Sequence, residues 1–555
     1  MSNLRGRTRI VFLLLPIAIF LILLLSLKAP LKKSPKTSEI PPLHLHKHLQ
    51  IAHSTCEGTL YPELCVSTLS SFPNLASKSV PQIISDTINL AVDEVKVSAS
   101  NCTGIRKKVK VLDPRQKRAI DDCLELFDDT IAELQIAISD LSPKSSPSKH
   151  YHDLQTLLSA AMTNQYTCLD GLAYSDGNVK ESIEEGLKNI THTVSNSLAM
   201  LKKIPKESSS KAEVFPEYGK MVGGFPKWLS PKDRRLLQAP TNQTTSNLVV
   251  AKDGSGNFKT ISEAVAAAPI SSSKRFVIHI KAGLYLENVE VERKKTMLMF
   301  VGDGIGKTVV KGSRNFVDGW TTFHSATVAV VGDGFIAKDM TFENSAGPSK
   351  HQAVALRSGS DLSAFYRCSF VAYQDTLYVH SLRQFYRECD VYGTVDFIFG
   401  NAAAVLQNCN LYARRPNPNQ KNMFTAQGRE DPNQNTGISI LNSKVTASSD
   451  LTPVKSSFKS YLGRPWKQYS RTVFSHCHID DLIDPAGWLE WSGDFALSTL
   501  YYGEYMNRGP GAVTTARVKW PGYRVISSST EASQFTVGAF IQGNEWLSST
   551  NIPFS

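Results

Sequence analysis

One short strand pattern recurs through the second half of the chain and limits what that half can become. FYRCSF ends at Phe370, FYRECDV at Val391, VLQNCNL at Leu411 and VFSHCHI at Ile479, each with a cysteine at a matching place. Cys368, Cys389 and Cys409 follow one another at steps of 21 and 20 residues, and Asn442 takes the corresponding place in ISILNSKV. One strand motif per repeat at such a period marks a solenoid, and β-type runs without helical spacing make it a parallel β-helix. From Leu248 onward the texture agrees. Short apolar runs such as Val277–Ile280, Met297–Val301 and Phe335–Phe342 alternate with Gly, Asn and Asp turns.

In such a fold, equivalent positions on adjacent coils stack about 4.8 Å apart. Cys389 and Cys409 become neighbours within the Cα separation of a disulfide. Asp375 lies seven residues after Cys368, and Asp396 seven after Cys389. The two acids therefore share one place on consecutive coils, with their carboxylates close together. Like charges so placed raise one pKa, and a nearby cation lowers the other. One carboxyl then serves as an acid while its neighbour stays an anionic nucleophile. The bland alternative is an Asp ladder satisfied by turn N–H groups. The surroundings favour chemistry, because Asp375 follows Gln374 in YQDTLY and Asp396 sits in the apolar string VDFIFG.

The first half is patterned differently. Arg5, Arg7 and Arg9 precede an apolar run from Ile10 to Leu27, near the lower limit for spanning a bilayer and longer than a usual signal-peptide core. A cleaved signal peptide and a signal-anchor both fit residues 1–27, and either sends the rest of the chain into the secretory lumen. Sequons at Asn101, Asn189 and Asn242 are compatible with that route, and nine cysteines there are disulfide candidates. Residues 28–50 read as a linker. Its His44, His46 and His48 have no Cys or carboxylate arranged with them, which favours solvated linker over metal site. Residues 51–203 carry helical spacing over Gln82–Val97, Gln116–Leu141, Asp153–Leu172 and Ser182–Leu201, joined by short polar connections. That pattern predicts an antiparallel bundle. Cys56 and Cys65 are placed to staple a hairpin, Cys123 and Cys168 fall in two different helices, and Cys102 is left over. The residues alone leave the connectivity open. Residues 204–247 form a second linker with a dibasic string, Arg234-Arg235-Leu236-Leu237, read as a proteolytic processing site.

The net charge of +11 favours acidic partners without choosing among nucleic acid, anionic membrane and polyanionic sugar. From residue 238 on there are 31 Lys and Arg against 26 Asp and Glu, with no dense basic tract, so nucleic acid is not expected.

The strings GLYLE (283–287), HQAVAL (351–356), YQDTLY (373–378), VDFIFGN (395–401) and LGRPW (462–466) resemble the signature blocks of plant pectin methylesterases, in family order, across 245–555. AIDDCLELF and AAMTNQYTCLDG make residues 51–203 similar to the pectin methylesterase inhibitor domain. The whole resembles the pro-enzyme type, with an inhibitor-like segment before an RRLL processing site. The resemblance implies a four-helix bundle followed by a right-handed parallel β-helix at 248–555, with disulfides Cys56–Cys65, Cys123–Cys168 and Cys389–Cys409. It further implies that Asp396 attacks the methyl ester of a galacturonate, giving an acyl-enzyme, while Gln352 and Gln374 hold the oxyanion. Asp375 is the implied acid and base, and Arg464 holds Asp396 ionised. No metal or other cofactor is implied.

Trp466, Phe323, Tyr378, Phe399, Tyr461 and Trp491 are candidates to line the groove, with Thr322 added on resemblance alone. For Phe397 and Phe399 a core role fits equally well, since alternate strand residues point opposite ways. The implied partners are methyl-esterified homogalacturonan, a processing protease and inhibitor proteins, with secretion to the cell wall and membrane contact only through the N-terminal anchor. Among rivals, a galacturonase would not need paired Gln residues, and a lyase would need a calcium cluster that the sequence does not offer. A non-catalytic binding protein would not need Asp375, Asp396 and Arg464 together.

Overall fold

The computed structural model describes residues 42–108, 112–174, 177–206, 221–222, 225–226, 246–550 and 552–554. The apolar run Ile10–Leu27, the string Arg234–Leu237 and Asn242 lie outside them. Among the described residues no helix is long and apolar enough to cross a membrane. Residues 1–49 form a unit of their own, described only at 42–49, where helix α1 (Pro42–Cys56) begins. This corrects the expectation of linker up to residue 50. Leu45, Leu49, Ala52 and Cys56 recur at helical spacing, a signal that the Pro- and His-rich composition obscured.

Residues 50–555 form the second compact unit. After α2 (Pro62–Ser70) come four long helices: α3 (Val80–Lys108), α4 (Pro114–Asp140), α5 (Tyr151–Gly171) and α6 (Gly177–Leu201). Each packs on two of the others in a closed square, α3 on α4 and α6, α5 on α4 and α6. A capping box starts α4: the Asp113 side chain accepts from the Gln116 amide while the Gln116 side chain reaches back, with Pro114 in the first turn. Two disulfides staple the bundle, Cys56–Cys65 between α1 and α2 and Cys123–Cys168 between α4 and α5. Asn101 and Asn189 are exposed on α3 and α6.

From Leu248 the chain winds into a parallel β-helix in which each strand pairs with its counterpart one coil away. One face is a seven-stranded sheet: β1 (Val289–Val291), β2 (Val328–Val330), β3 (Leu356–Ser358), β4 (Leu377–Val379), β5 (Ile398–Gly400), β6 (Asn422–Gln427) and β7 (Ser460–Gly463). Leu356 pairs with Leu377, and Leu377 with Ile398, so the central coils advance by 21 residues. In-register stacking places like on like inside, as in Phe365 against Tyr386, 4.8 Å between centroids at 8°.

The recurring cysteine marks a corner. Arg367, Glu388, Asn408, Asn442 and His476 all adopt left-handed backbone with φ between 44° and 56°. The residue after each turns inward: Cys368, Cys389, Cys409, Ser443 and Cys477, all buried. Pairing of Leu441 with Gln407 and Lys444 with Asn410 sets Ser443 opposite Cys409, which moves the expected match at Asn442 by one residue.

The expected Cys389–Cys409 disulfide is also corrected, since Cys102, Cys368, Cys389, Cys409 and Cys477 are all free thiols. In-register neighbours on parallel strands hold their Cα–Cβ bonds side by side, about 4.8 Å apart, whereas a disulfide needs them convergent. The thiols instead face backbone carbonyls, Cys389 Sγ donating to Phe365 O and Cys409 Sγ to Tyr386 O at 3.4 and 3.5 Å. Thiol titration of the denatured, unreduced chain should therefore find five reactive groups. A count of three, with Cys389 and Cys409 the two unlabelled residues on peptide mapping, would restore the Cys389–Cys409 bond.

Candidate active site

Strand alternation sends Leu377, Val379 and Ile398 into the core and Tyr378 and Phe399 outward. Arg357, Tyr378, Phe399 and Ala426 form one outward row in register, and Arg464 continues it after Gly463 pairs with Thr425. Tyr378 and Phe399 stack at 4.2 Å. Phe397 points inward and is fully buried in the core, which resolves the choice between it and Phe399.

Asp375 and Asp396 each stand two residues before a paired position, so they occupy the same corner of consecutive coils. Both are left-handed, at φ 63° and 51°, a conformation that Asp tolerates better than most residues. The Asp375 amide donates to Val395 O at 3.1 Å. Arg464 grips Asp396 with two hydrogen bonds, Nε to Oδ1 at 2.8 Å and Nη2 to Oδ2 at 2.6 Å. Such a fork fixes orientation as well as charge. The guanidinium lies over the Trp491 ring, 4.3 Å from its centroid. Burial, then the charge of Asp396, pushes the Asp375 carboxyl well above the usual range, with Arg464 opposing. The pair is thus unequal: the surroundings of Asp375 favour its protonated form, and Asp396 has the cation.

Gln352 and Gln374 come from neighbouring coils. Their carbonyls are tied down by the amides of Phe316 and Ala353, at 2.9 and 3.2 Å, and both side chains face the same cavity. That cavity, about 300 Å³, is lined by Asp375, Asp396, Arg464, Gln352 and Gln374 with Thr322, Phe323, Tyr378, Phe399, Trp466 and Trp491. Tyr461 is not among the residues that line this cavity. It sits three residues before Arg464 on β7, and its hydroxyl reaches Asp484 at 3.5 Å.

The opposite wall was not legible in the sequence, for it belongs to the bundle: Arg115, Thr167, Asp170, Gly171 and Ala173. Thr167 Oγ1 meets His380 Nε2 at 2.9 Å, and Asp170 pairs with Lys467 at 2.9 Å. Thr163 accepts from Asn401, while Gln434 and Asn435 reach Ser159 and Thr156. An acidic ridge on α4 meets basic residues of the β-helix. Asp122 and Glu125 engage His324, Glu125 also faces Arg357, and Asp129 and Glu133 hold Arg293 at 2.7 and 2.9 Å. Phe323, Tyr378 and Phe399 share one apolar cluster with the bundle core and are only 3–4% exposed. AIDDCLELF and AAMTNQYTCLDG contain several of these groups, but nothing in their spacing says which face meets a second domain.

Comparison with known proteins agrees with this division. A Pectinesterase family model matches residues 247–544. The chain belongs to the pectinesterase family. Residues 50–200 match the plant invertase/pectin methylesterase inhibitor family. Pectinesterase 1 of Citrus sinensis is 55% identical over 522 residues, covering 92% of this chain and 88% of its own length. Pectinesterase/pectinesterase inhibitor U1 of Solanum lycopersicum is 52% identical over 541 residues, covering 95% and 92%. Among solved structures, the pectin methylesterase from carrot is 63% identical with a TM-score of 0.56, covering 56% of this chain and 98% of its own.

In this pectinesterase the high pKa of Asp375 arises partly from Asp396. Asp396→Asn should lower it, while burial keeps it above the usual carboxylate value. Infrared titration of the Asp375 carbonyl stretch checks the direction, and an unchanged midpoint would show the two acids to be uncoupled.

Proposed function

We propose that the C-terminal half hydrolyses methyl esters of galacturonate residues in pectin, releasing methanol and de-esterified pectate. The observation that carries this reading is the unequal acid pair, Asp396 gripped by Arg464 beside Asp375 with its raised pKa, in a cavity that Gln352 and Gln374 also line. Asp396 attacks the ester carbonyl and forms an acyl-enzyme. Gln352 and Gln374 donate to the tetrahedral oxyanion, a contribution of about 3 kcal/mol per donor. Asp375 gives its proton to departing methanol, then takes one from the water that hydrolyses the acyl-enzyme. The apolar faces of Phe323, Tyr378, Phe399, Trp466 and Trp491 suit sugar C–H surfaces and the methyl group, and Thr322 contributes a hydroxyl at the rim.

The bundle is the restraint on this activity. Thr167 and Asp170 stand at the cavity wall, and Phe323, Tyr378 and Phe399 lie buried against the bundle, so a polymer has no access to these three rings in the uncut chain. Cleavage at Arg234–Leu237 by a processing protease frees the enzyme. The N-terminal apolar run directs the chain into the secretory route, with the cell wall as destination and pectin as partner.

Methanol release from methylated pectin tests the catalytic roles. In the freed C-terminal half, Asp396→Asn should lose at least about 1,000-fold in rate, and Gln374→Ala on the order of 100- to 1,000-fold. Polymer shortening without methanol would point instead to a glycosidic-bond enzyme. The uncut chain should release little methanol until cleaved, and equal rates before and after cutting would remove the restraint.

Docking should also weaken with rising pH. Burial works against protonation of His324, but Asp122 and Glu125 of the bundle overcome it and the opposing Arg357, raising the imidazole to about 9. Released from those acids, it returns toward about 6.5. Its contribution to docking is therefore complete below about 6.5 and is lost as pH climbs through about 9. Calorimetric titration of bundle onto enzyme should show that decline, and His324→Gln should flatten it.

A further inference from the structure

A column of core residues inside the β-helix ends on a charge. Tyr386, Leu406, Ile440 and Phe474 stack inward on successive coils, and the next coil places Glu504 there. Glu504 is 2% exposed. Its carboxylate accepts from Arg517 Nε at 2.8 Å and Nη2 at 3.2 Å, and from Trp488 Nε1 and the Tyr523 hydroxyl, each at 3.2 Å. Arg517 is buried as well and also donates to Pro485 O and Gly511 O. A buried ion pair carries a desolvation cost that an apolar plug avoids, so capping the solenoid does not by itself require one. What the charges add is fixed geometry around one carboxylate.

That geometry bears on the catalytic cation. Trp488 pairs with Gly463, the residue before Arg464, as one more rung beside β7. Leu462 N donates to Gly487 O and Leu489 N to Gly463 O, at 2.8 and 3.0 Å. Gly487 is left-handed, at φ 72°, and a Cβ there would collide with the Arg517 stem. Three residues beyond Trp488 the rung reaches Trp491, whose ring covers the Arg464 guanidinium. Trp491 is 38% exposed, so its place depends on the rung that carries it. On the inner side Trp488 stacks on Tyr502, 4.2 Å between centroids, and the Tyr502 hydroxyl meets Ser470 at 2.9 Å. Burial pushes the Tyr502 phenol well up against its bond to Ser470; Asp396 adds to the push and Arg464 opposes it. The layer around Glu504 therefore lies within electrostatic reach of the catalytic pair.

We propose that Glu504 is a positioning residue for the esterase reaction: through Trp488 it fixes the rung 487–491, and the Trp491 ring then holds the Arg464 fork in the plane that grips Asp396. This rests on the pectin methylesterase reading and adds a remote support to its nucleophile. A flat guanidinium confined beneath an aromatic ring keeps one plane, and two-point binding of a carboxylate needs that plane. Without the support Asp396 keeps its neighbours and loses its aim, so attack slows while polymer binding stays.

The test uses the half freed from the full chain by cleavage; the carrot pectin methylesterase, which matches that half over 98% of its own length, is a folded protein by itself. Methanol release from methylated pectin is measured for the wild type, Glu504→Gln and Trp488→Phe, each checked for folding by circular dichroism at the assay temperature. Glu504→Gln should lower kcat at least about tenfold, as a small misplacement of a reacting group does, and leave KM within about twofold. Trp488→Phe keeps a ring on Tyr502 but loses the donor to Glu504. It should lower kcat in the same sense, and it carries the test if the Gln variant does not fold. Both substitutions are repeated in a Trp491→Leu background, where each should cost less than about twofold because the ring they position is gone. A kcat equal to that of the wild type, or lost by the same factor with and without Trp491, overturns the positioning role and leaves Glu504 the plug of the last coil. Absence of methanol from the wild type would instead overturn the esterase reading itself.

Discussion

Everything at this site depends on the in-register stacking of consecutive coils. A parallel β-helix repeats its backbone about every 4.8 Å, so a residue type repeated once per coil becomes a column. Three columns result: cysteine thiols inside, aromatic rings outside, and two carboxylates at one corner. Only the last is electrostatically unfavourable when both members are charged. Arg464 relieves it asymmetrically by taking Asp396 and leaving Asp375 beside a negative neighbour in a buried corner. That asymmetry lets two identical side chains play opposite parts.

The same regularity makes the outward row of the seven-stranded face a ready docking surface, and the bundle uses it. Two kinds of contact operate there. Burial of Phe323, Tyr378 and Phe399 stabilises docking by roughly 1.5–3 kcal/mol per ring, without regard to polymer or helix as partner. The charged contacts are more selective. Removing one member of a buried ion pair costs about 3–5 kcal/mol, while the pair itself contributes little against an apolar replacement. The acidic ridge of α4 therefore contributes specificity and reversibility more than strength, and the aromatic contacts carry the affinity.

How much of this was legible in the chain follows from the range of each signal. The column of acids could be read because the coil period is local: Asp375 and Asp396 are placed by the 21-residue step that also separates Cys368 from Cys389. Helices α3 to α6 were visible through their apolar spacing. Two readings failed for want of geometry. The Cys389–Cys409 bond satisfied the Cα separation but not the direction of the side chains. Asn442 was matched by motif, one residue from the position that pairing assigns.

By itself, the sequence determined the two-part architecture, the β-helix and the acid pair, because periodicity is a property of neighbours along the chain. Tertiary structure decided which acid receives the cation, since Arg464 arrives from a strand 68 residues away. It also decided that the second wall of the cavity comes from α4 and α5. A helix carrying Asp122, Glu125, Asp129 and Glu133 presents them equally well to water or to a basic partner, and only the docked surface with His324, Arg357 and Arg293 distinguishes the two.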